Sequence, residues 1–233
     1  MDIINYDNII SKYIPQKQYI NPSVFHFKHP CNAIISGKSG MGKTNLLLNL
    51  IERFTCFHVI YLYTSCLCED KYQYLIKKQQ EKEEIMKKKH NIDIQLIHFS
   101  ENIDDIVDLN DINQDYQNLI IIDDLVLEKN QDKIKNLFMK CRKYNTSTIY
   151  LTQDFFKIPI FIRKNAKMVI LFKNDDNREV RQLYNIYCRS DMEFGKFNHW
   201  FKEATKNNGV FVIDLSTDNI KYKFRCNFVY LFN

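Results

Sequence analysis

From Asn32 onward, the chain alternates short apolar runs with longer segments of helical composition. The runs are four to six residues long and rich in β-branched and aromatic side chains, which is typical of strands buried on both faces of a sheet. They lie at Ala33–Ser36, His58–Tyr63, Ile94–Phe99, Leu119–Ile122, Thr148–Leu151 and Met168–Phe172. Because strand and helix alternate, the pattern predicts an α/β fold with a mostly parallel sheet flanked by helices.

The segments between these runs have the length and composition of helices. We predict helices at Lys43–Phe54, Asp70–His90, Asp132–Tyr144, Asn177–Arg189 and Asp191–Lys206. Three further apolar runs follow at Gly209–Leu215, Ile220–Cys226 and Phe228–Phe232, and a Ser-Thr-Asp-Asn turn separates the first two. They predict a C-terminal antiparallel hairpin that extends the edge of the sheet.

Charge is distributed unevenly along the 233 residues. Residues 1–128 hold 13 Lys and Arg against 18 Asp and Glu, whereas residues 129–233 hold 20 against 10. A basic C-terminal half suits a partner with a phosphate backbone, although these charges could equally spread over several faces without forming a patch.

The composition also sets the expected compartment. No apolar run approaches the about 18 residues of a membrane helix, and Asp2 and Asp7 stand where a secretory signal would carry positive charge. Seven scattered cysteines, an odd number, indicate reduced thiols. We expect an intracellular protein that does not insert into a membrane.

The clearest chemical signal is the segment Gly37–Thr44, which fits the P-loop pattern G-x-x-x-x-G-K-[ST]. It follows a predicted strand and precedes a predicted helix, as a phosphate-binding loop requires. Backbone N–H groups can wrap a phosphate chain only where side chains leave room, so glycine is needed there. The predicted nucleotide-binding residues are Gly37, Lys38, Ser39, Gly40, Met41, Gly42, Lys43, Thr44 and Asn45. Lys43 would reach the β- and γ-phosphates of ATP, and Thr44 would place its hydroxyl on Mg²⁺.

Two further strands end in polar side chains that suit hydrolysis of a bound nucleotide. The apolar strand Leu119–Ile122 ends in Asp123 and Asp124, and the strand Thr148–Leu151 leads to Gln153. In an open α/β sheet these strand ends meet beside the P-loop. Asp123 would hold Mg²⁺, Asp124 would orient and deprotonate the attacking water, and Gln153 would contact the γ-phosphate or that water.

Arginine is scarce, with seven residues against 26 lysines, and two arginines flank the Gln153 strand. Arg142 ends the helix before that strand, and Arg163 lies in the loop after it, so we expect both just outside the same edge of the sheet. A guanidinium offered to a neighbouring subunit's γ-phosphate would be an arginine finger. A solvated arginine at a helix end is an equally good interpretation of either one.

Together, Gly37–Thr44, Ile120–Asp124 and the pair Thr152 and Gln153 resemble the FtsK/HerA superfamily of P-loop motors. Within it, the chain is most similar to the poxvirus-type DNA-packaging ATPases of large DNA viruses and virophages. The resemblance covers residues 31 to about 190. We therefore divide the chain into an N-terminal arm (1–30) and a P-loop ATPase domain (31–233), in which residues 191–233 form a C-terminal helix and hairpin extension.

The resemblance implies a Mg²⁺-dependent ATPase that drives double-stranded DNA into preformed capsids. It implies a homo-oligomeric ring of five or six subunits, docked on a capsid vertex or portal protein, in the host cytoplasm at the virus factory or in the virion. It also gives Arg142, within Lys140–Lys143, the place of the arginine finger, where Cys141 replaces the glycine usual in FtsK-like members; Arg163 is the second choice.

A P-loop nucleoside or nucleotide kinase is the alternative of a different reaction class. Arg178 and Arg181 would then be lid arginines over the transferred phosphoryl group. A kinase would be accelerated by a small phosphate acceptor rather than by DNA.

Overall fold

The structure is a computed structural model that describes residues 27–54, 57–125, 131–217 and 219–230. Within these ranges the chain forms one nine-stranded sheet in the order β3-β2-β4-β5-β1-β6-β7-β8-β9. Strands β1 to β6 are parallel to one another. Strands β7, β8 and β9 continue the sheet beyond β6 in antiparallel pairing. The predicted fold class is confirmed.

The strands and helices follow one another along the chain as the apolar pattern indicates. The strands are β1 (Asn32–Ser36), β2 (Val59–Thr64), β3 (Ile97–Ser100), β4 (Asn118–Asp123), β5 (Thr146–Thr152), β6 (Met168–Leu171), β7 (Phe211–Asp214), β8 (Phe224–Cys226) and β9 (Val229–Tyr230). The helices are α1 (Lys43–Asn49), α2 (Asp70–His90), α3 (Asp132–Lys140), α4 (Ile160–Asn165), α5 (Asn177–Tyr187), α6 (Phe194–Ala204) and α7 (Ile220–Lys223).

Two layers of apolar side chains cover the two faces of the sheet. On β4, Ile120 and Ile122 face the layer formed with α3, α5 and α6, while Leu119 and Ile121 face the layer formed with α1 and α2. All four side chains are fully buried. This two-sided burial explains why the central strands are continuous apolar runs rather than alternating ones.

Several predicted boundaries differ from the structure. The third strand begins at Ile97 rather than Ile94, and it is partly exposed because it pairs only with β2 at the sheet edge. The predicted strand Ile220–Cys226 was wrong in its first half: Asn219 accepts a hydrogen bond from the Lys221 N–H and starts the short helix α7. Helix α4, which the pattern did not predict, spans the connection between β5 and β6.

The last turns of the predicted helices also differ. Helix α1 ends at Asn49 and continues as a π-helical turn (Leu50–Phe54), and α3 continues as a 3₁₀ turn (Cys141–Tyr144). Helices α5 and α6 are shorter than predicted, with bounds of Asn177–Tyr187 and Phe194–Ala204. The last predicted strand, Phe228–Phe232, corresponds to β9 (Val229–Tyr230), and its last two residues lie outside the described ranges.

Most of the predicted N-terminal arm lies outside the described residues. Its last residues, 27 to 30, pack on the domain: Phe27 is 1% exposed and belongs to the layer beside α1 and α2. The two ring nitrogens of His29 lie 2.8 Å from Ser147 Oγ and 2.7 Å from Asn145 Oδ1. The division of the chain at residue 31 stays a prediction.

Two features bear on the expected compartment. Six of the seven cysteines lie in the described ranges, and there they form no disulfide. In the same ranges, no helix is both long enough and apolar enough to cross a bilayer.

An ion pair between Arg225 and Asp214 is buried where β7 meets β8. Arg225 Nη2 donates a hydrogen bond of 3.0 Å to Asp214 Oδ2, and the side chains are 2% and 5% exposed. The backbone N–H and the hydroxyl of Ser216 also donate to Asp214. A buried pair adds little net stability, but removing one partner leaves the other charge buried without compensation.

Replacing Arg225 with Ala is therefore expected to lower the free energy of unfolding by about 3–5 kcal/mol, as measured by urea denaturation. Arg189→Ala, at an exposed position just after α5, is the control and should change it by less than about 0.5 kcal/mol. A loss no larger than that of the control would contradict this prediction.

Candidate functional site

The carboxyl ends of β1, β4 and β5 meet at one edge of the sheet, because β5 pairs with β1 on one side and with β4 on the other. A cavity of about 320 Å³, here called the P-loop cavity, opens there. It is lined by Ser39, Gly40, Gly42, Lys43 and Thr44 from the P-loop, Thr64, Ser65, Cys66, Glu69 and Lys71 around the start of α2, and Asp123, Asp124 and Gln153. The sheet thus brings together the predicted phosphate, metal and water-activating residues.

The P-loop backbone takes a course that only glycine permits at two positions. A Cβ on Gly37 would lie 2.7 Å from Phe172 Cβ, so a side chain there would displace Phe172, the residue after β6. Gly42 has φ of 96°, in the left-handed region that glycine enters at no steric cost. These two glycines allow the loop to turn tightly from β1 into the first turn of α1.

Lys43 lies inside the P-loop cavity. Its Nζ donates hydrogen bonds of 2.9 Å to Gly37 O and 3.4 Å to Lys38 O. Burial lowers the pKa of Lys43, while the nearby carboxylates of Asp123, Asp124 and Glu69 oppose this shift. The ammonium group therefore lies between the loop backbone and the acidic strand ends, where a bound phosphate chain would neutralise it.

Asp123 is buried, with 9% of the residue exposed, and its Oδ2 accepts a hydrogen bond of 2.5 Å from the Tyr72 hydroxyl. Burial raises the pKa of Asp123 to about 6, and the hydrogen bond from Tyr72 and the charge of Lys43 oppose the rise. The Tyr72 hydroxyl also interacts with the side chain of Thr44. Tyr72 therefore joins the two residues predicted to hold the metal.

The raised pKa of Asp123 has a consequence for stability. Its ordinary value is 3.8 and its value in the folded protein is about 6, so the folded state favours the protonated form. The free energy of unfolding should fall as the pH rises through this interval, because ionisation costs more in the folded chain than in the unfolded one. A cation that binds the carboxylate would reduce this cost.

Asp124 and Gln153 face each other across the ends of β4 and β5. Gln153 Nε2 donates a hydrogen bond of 2.9 Å to Asp124 Oδ2. Asp124 has φ of 55°, a left-handed conformation that is uncommon for residues other than glycine and clusters at functional sites. Its side chain is exposed to the P-loop cavity, whereas that of Asp123 is buried.

The other predicted nucleotide-binding residues lie around the P-loop cavity. Gly37 and Lys38 line a narrow cleft of about 40 Å³ on the far side of the loop, together with Gln153 and Phe172. Met41 lines a separate and larger cavity beyond β6. Asn45 is exposed on α1, and its backbone oxygen accepts a hydrogen bond from Asn49.

Arg142 is not where we expected it. It lies in the 3₁₀ turn that leads into the amino end of β5, and its charge acts on Cys31, next to the start of β1. Arg142 is thus at the opposite edge of the sheet from Gln153. The physical reason is that a crossover helix runs antiparallel to its strands, so its last turn returns to the edge where the next strand begins.

Arg163 lies in helix α4 rather than in a loop, and its guanidinium is already engaged. Its Nε donates a hydrogen bond of 3.0 Å to Ile158 O. The guanidinium carbon lies 5.6 and 5.4 Å from the ring centroids of Phe155 and Phe156, a cation–π arrangement. These contacts hold Arg163 against its own chain.

Two residues of the site escaped prediction. Glu69 is half-buried in the lining of the P-loop cavity, and its charge acts on Lys43, Tyr72 and Asp123. The sequence could have indicated Glu69, because it lies between the predicted strand His58–Tyr63 and the helix that follows. Loops at the carboxyl ends of parallel strands form the ligand site. Tyr72 carried no such signal, since a buried aromatic on a helix is typical of a core.

Comparison with known proteins identifies the family. A family model described as "Poxvirus A32 protein" matches residues 23–226. No curated protein sequence matches the chain.

Solved structures match the fold at low identity. The genome packaging NTPase B204 from Sulfolobus turreted icosahedral virus 2, in complex with AMPPCP, has a TM-score of 0.55 at 12% identity, covering 82% of this chain and 95% of that one. The same protein in complex with ATP-γS has a TM-score of 0.54 at 13% identity, covering 81% and 94%. Its sulfate complex gives 0.55 at 12% identity, covering 81% and 93%. At these identities the similarity shows a common fold.

Replacing Tyr72 with Phe should raise the pKa of Asp123 further above its ordinary value, because the lost hydrogen bond stabilises the ionised carboxylate. Titration of the Asp123 carboxyl carbon by NMR measures this shift. Tyr74→Phe, on the same helix but with an exposed hydroxyl bonded to Glu52, is the matched control and should leave Asp123 unchanged. An unchanged or lowered pKa in Tyr72→Phe would contradict the assignment.

Proposed function

Since this chain belongs to the poxvirus A32 protein family, we propose that it is a Mg²⁺-dependent ATPase that translocates double-stranded viral DNA into preformed capsids during genome packaging. The observation that carries the proposal is the P-loop cavity, whose lining includes Lys43, Asp123, Asp124 and Gln153. B204, whose fold this chain shares, is itself a genome packaging NTPase and binds AMPPCP and ATP-γS.

The chemistry of the site suits a nucleoside triphosphate with Mg²⁺. Residues Gly37–Thr44 would wrap the phosphate chain with backbone N–H groups, and Lys43 would neutralise the β- and γ-phosphates. Thr44 and Asp123 provide hydroxyl and carboxylate oxygens, the ligand type that Mg²⁺ prefers. Both line the P-loop cavity, so the fold already holds them near each other. Bound Mg²⁺ would neutralise charge that develops on the phosphates.

We further propose that Asp124 and Gln153 act on the attacking water. We assign Asp124 as the base that takes a proton from this water while its oxygen bonds to the γ-phosphorus. The bond to the β–γ bridging oxygen breaks, and ADP and phosphate leave. Gln153, which donates to Asp124 at 2.9 Å, would fix that carboxylate and contact the γ-phosphate or the water.

We also propose a homo-oligomeric ring of five or six subunits, and the place of Arg142 supports a contact between subunits. Because Arg142 lies at the opposite edge of the sheet, it cannot serve the P-loop cavity of its own subunit. Head-to-tail contacts bring different surfaces of neighbouring subunits together and close into rings. An arginine on one surface can then reach the nucleotide of the next subunit.

The sheet order separates the charge of the two halves of the chain. Strands β2, β3 and β4 of the acidic half lie on one side of β5 and β1, and β6 to β9 of the basic half lie on the other. Segment 101–115 beside β3 carries six acidic residues and no Lys or Arg. We therefore assign DNA contacts to the half containing β6 to β9.

The proposal also includes where the ring acts and which alternative it replaces. The ring would dock on a capsid vertex or portal protein in the host cytoplasm, at the virus factory, and could remain in the virion. The nucleoside or nucleotide kinase is set aside, because the family match and the related structures indicate packaging ATPases instead.

Steady-state ATP hydrolysis should be stimulated by double-stranded DNA, and the stimulation should fade as the salt concentration is raised. Lys43→Ala should abolish turnover, because the β- and γ-phosphates lose their cation. Lys89→Ala, an exposed lysine at the end of α2, is the matched control and should hydrolyse ATP normally. Hydrolysis indifferent to DNA but raised by a nucleoside or nucleotide acceptor would contradict the proposal.

Arg142→Ala should be inactive alone but should restore activity when mixed with Lys43→Ala, because each variant supplies what the other lacks across a subunit contact. Lys143→Ala, its exposed neighbour in the same turn, is the control and should hydrolyse ATP by itself. Full activity of Arg142→Ala would exclude it as the finger and would transfer the assignment to Arg163.

A further inference from the structure

Two exposed cysteines, Cys66 and Cys68, lie in the loop that connects β2 to α2. Their sulfur atoms are 2.6 Å apart. Cys66 also belongs to the lining of the P-loop cavity. The proposed function leaves both thiols without a role.

The surroundings of these two thiols differ from those of the buried cysteines. Cys31, Cys141 and Cys188 are buried, and burial raises the pKa of each of these three thiols. Because the thiolate is the reactive form, such cysteines are inert packing residues. Disulfides of intracellular proteins are usually transient, and the cysteines that form them are exposed and lie beside a second cysteine. Cys66 and Cys68 meet both conditions.

The backbone between the two cysteines is anchored on both sides. The Leu67 N–H donates a hydrogen bond of 2.7 Å to Glu101 Oε1, just after β3, and Leu67 O accepts one of 2.7 Å from Gln73 Nε2 in α2. The Cys66 N–H donates to Thr64 Oγ1 at 3.3 Å. Because the turn already holds the two thiols together, closing a bond between them would cost little further conformational entropy.

The pair suits a disulfide better than a metal ion. Zinc takes four protein ligands in structural sites and three in catalytic ones. Within the described ranges, no group of three or more His, Cys, Asp and Glu side chains is arranged to hold a metal. A disulfide needs only two thiols, and these sulfur atoms have to approach by a fraction of an ångström to reach the about 2.05 Å of an S–S bond.

The loop links this pair to the site of the proposed hydrolysis. Thr64, which ends β2, lies in register with Asp123. Glu69, directly after Cys68, lines the P-loop cavity, and its charge acts on Lys43 and Asp123. A disulfide requires a dihedral angle near 90° about the S–S bond, so its closure would rotate the peptide groups between the cysteines. That rotation would move Glu69 relative to Lys43 and Asp123.

We propose that Cys66 and Cys68 form a reversible disulfide by reaction with a small-molecule disulfide, and that this bond lowers ATP hydrolysis at the P-loop cavity. The effect on hydrolysis rests on the proposed function. The modification itself rests only on the geometry of the two thiols.

The reaction consists of two successive thiol–disulfide exchanges. The thiolate of one cysteine attacks a sulfur of the small-molecule disulfide, which forms a mixed disulfide and releases one small thiolate. The thiolate of the other cysteine then attacks the cysteine sulfur of the mixed disulfide, which forms the bond between Cys66 and Cys68 and releases the second small thiolate. The two cysteines together lose two protons and two electrons, and the small-molecule disulfide takes up both to become two thiols.

The test follows the bond and the activity in the same sample of the full chain. After equilibration with oxidised glutathione, unreduced chymotryptic peptides would be mapped by mass spectrometry; cleavage after Tyr63 separates Cys56 from the pair. We expect a bond between Cys66 and Cys68, with ATP hydrolysis lowered by about threefold or more because Glu69 is displaced. Dithiothreitol should reverse both changes.

Three variants serve as controls. In Cys68→Ser the second exchange is blocked, so glutathione should stay attached to Cys66 and the reduced variant should hydrolyse ATP normally. The double variant Cys66→Ser, Cys68→Ser should show the same hydrolysis with oxidised glutathione as with dithiothreitol. Cys226→Ser, at a partly exposed thiol beside Ala204 O, is the matched control and should respond as the unchanged chain does.

Each outcome separates this inference from the proposed function. A full chain that keeps free thiols at Cys66 and Cys68, or that forms its bond through other cysteines, would overturn the modification. An equal loss of hydrolysis in the double variant would overturn the effect on the site. If the reduced chain does not hydrolyse ATP, the proposed function and this effect fail together, and the mapped bond still decides whether the modification exists.

Discussion

The parallel sheet is the constraint on which the rest of the molecule depends. Every strand from β1 to β6 points its carboxyl end towards the same edge, because each crossover returns the chain to the other edge before the next strand begins. Lys43, Asp123, Asp124 and Gln153 are spread over 111 positions of the chain, yet β5 between β4 and β1 brings them to one cavity. The same constraint places Arg142 at the opposite edge of the sheet from the P-loop cavity.

The P-loop cavity also carries an energetic cost that the rest of the fold must offset. Asp123 is buried, its pKa is raised to about 6, and it retains one strong hydrogen bond, from Tyr72. Asp124 holds an uncommon left-handed backbone, which costs on the order of 1–3 kcal/mol. Both features oppose folding, and the apolar layers on the two faces of the sheet offset them. The fold itself thereby holds in place the two carboxylates whose charge a bound cation would neutralise.

The sequence by itself determined the fold class, the order of the elements and the P-loop, because buried strands need continuous apolar runs and a phosphate loop needs glycine at fixed spacing. It also predicted that Asp123, Asp124 and Gln153 would meet the P-loop. Tertiary structure alone decided the parts that depend on which elements lie side by side. Tyr72 resembles any buried aromatic until α2 places its hydroxyl on Asp123, and Glu69 gains its role only from the neighbouring charges. Arg142 lies close to Gln153 in sequence, but the strand between them spans the whole sheet, so the two residues end at opposite edges.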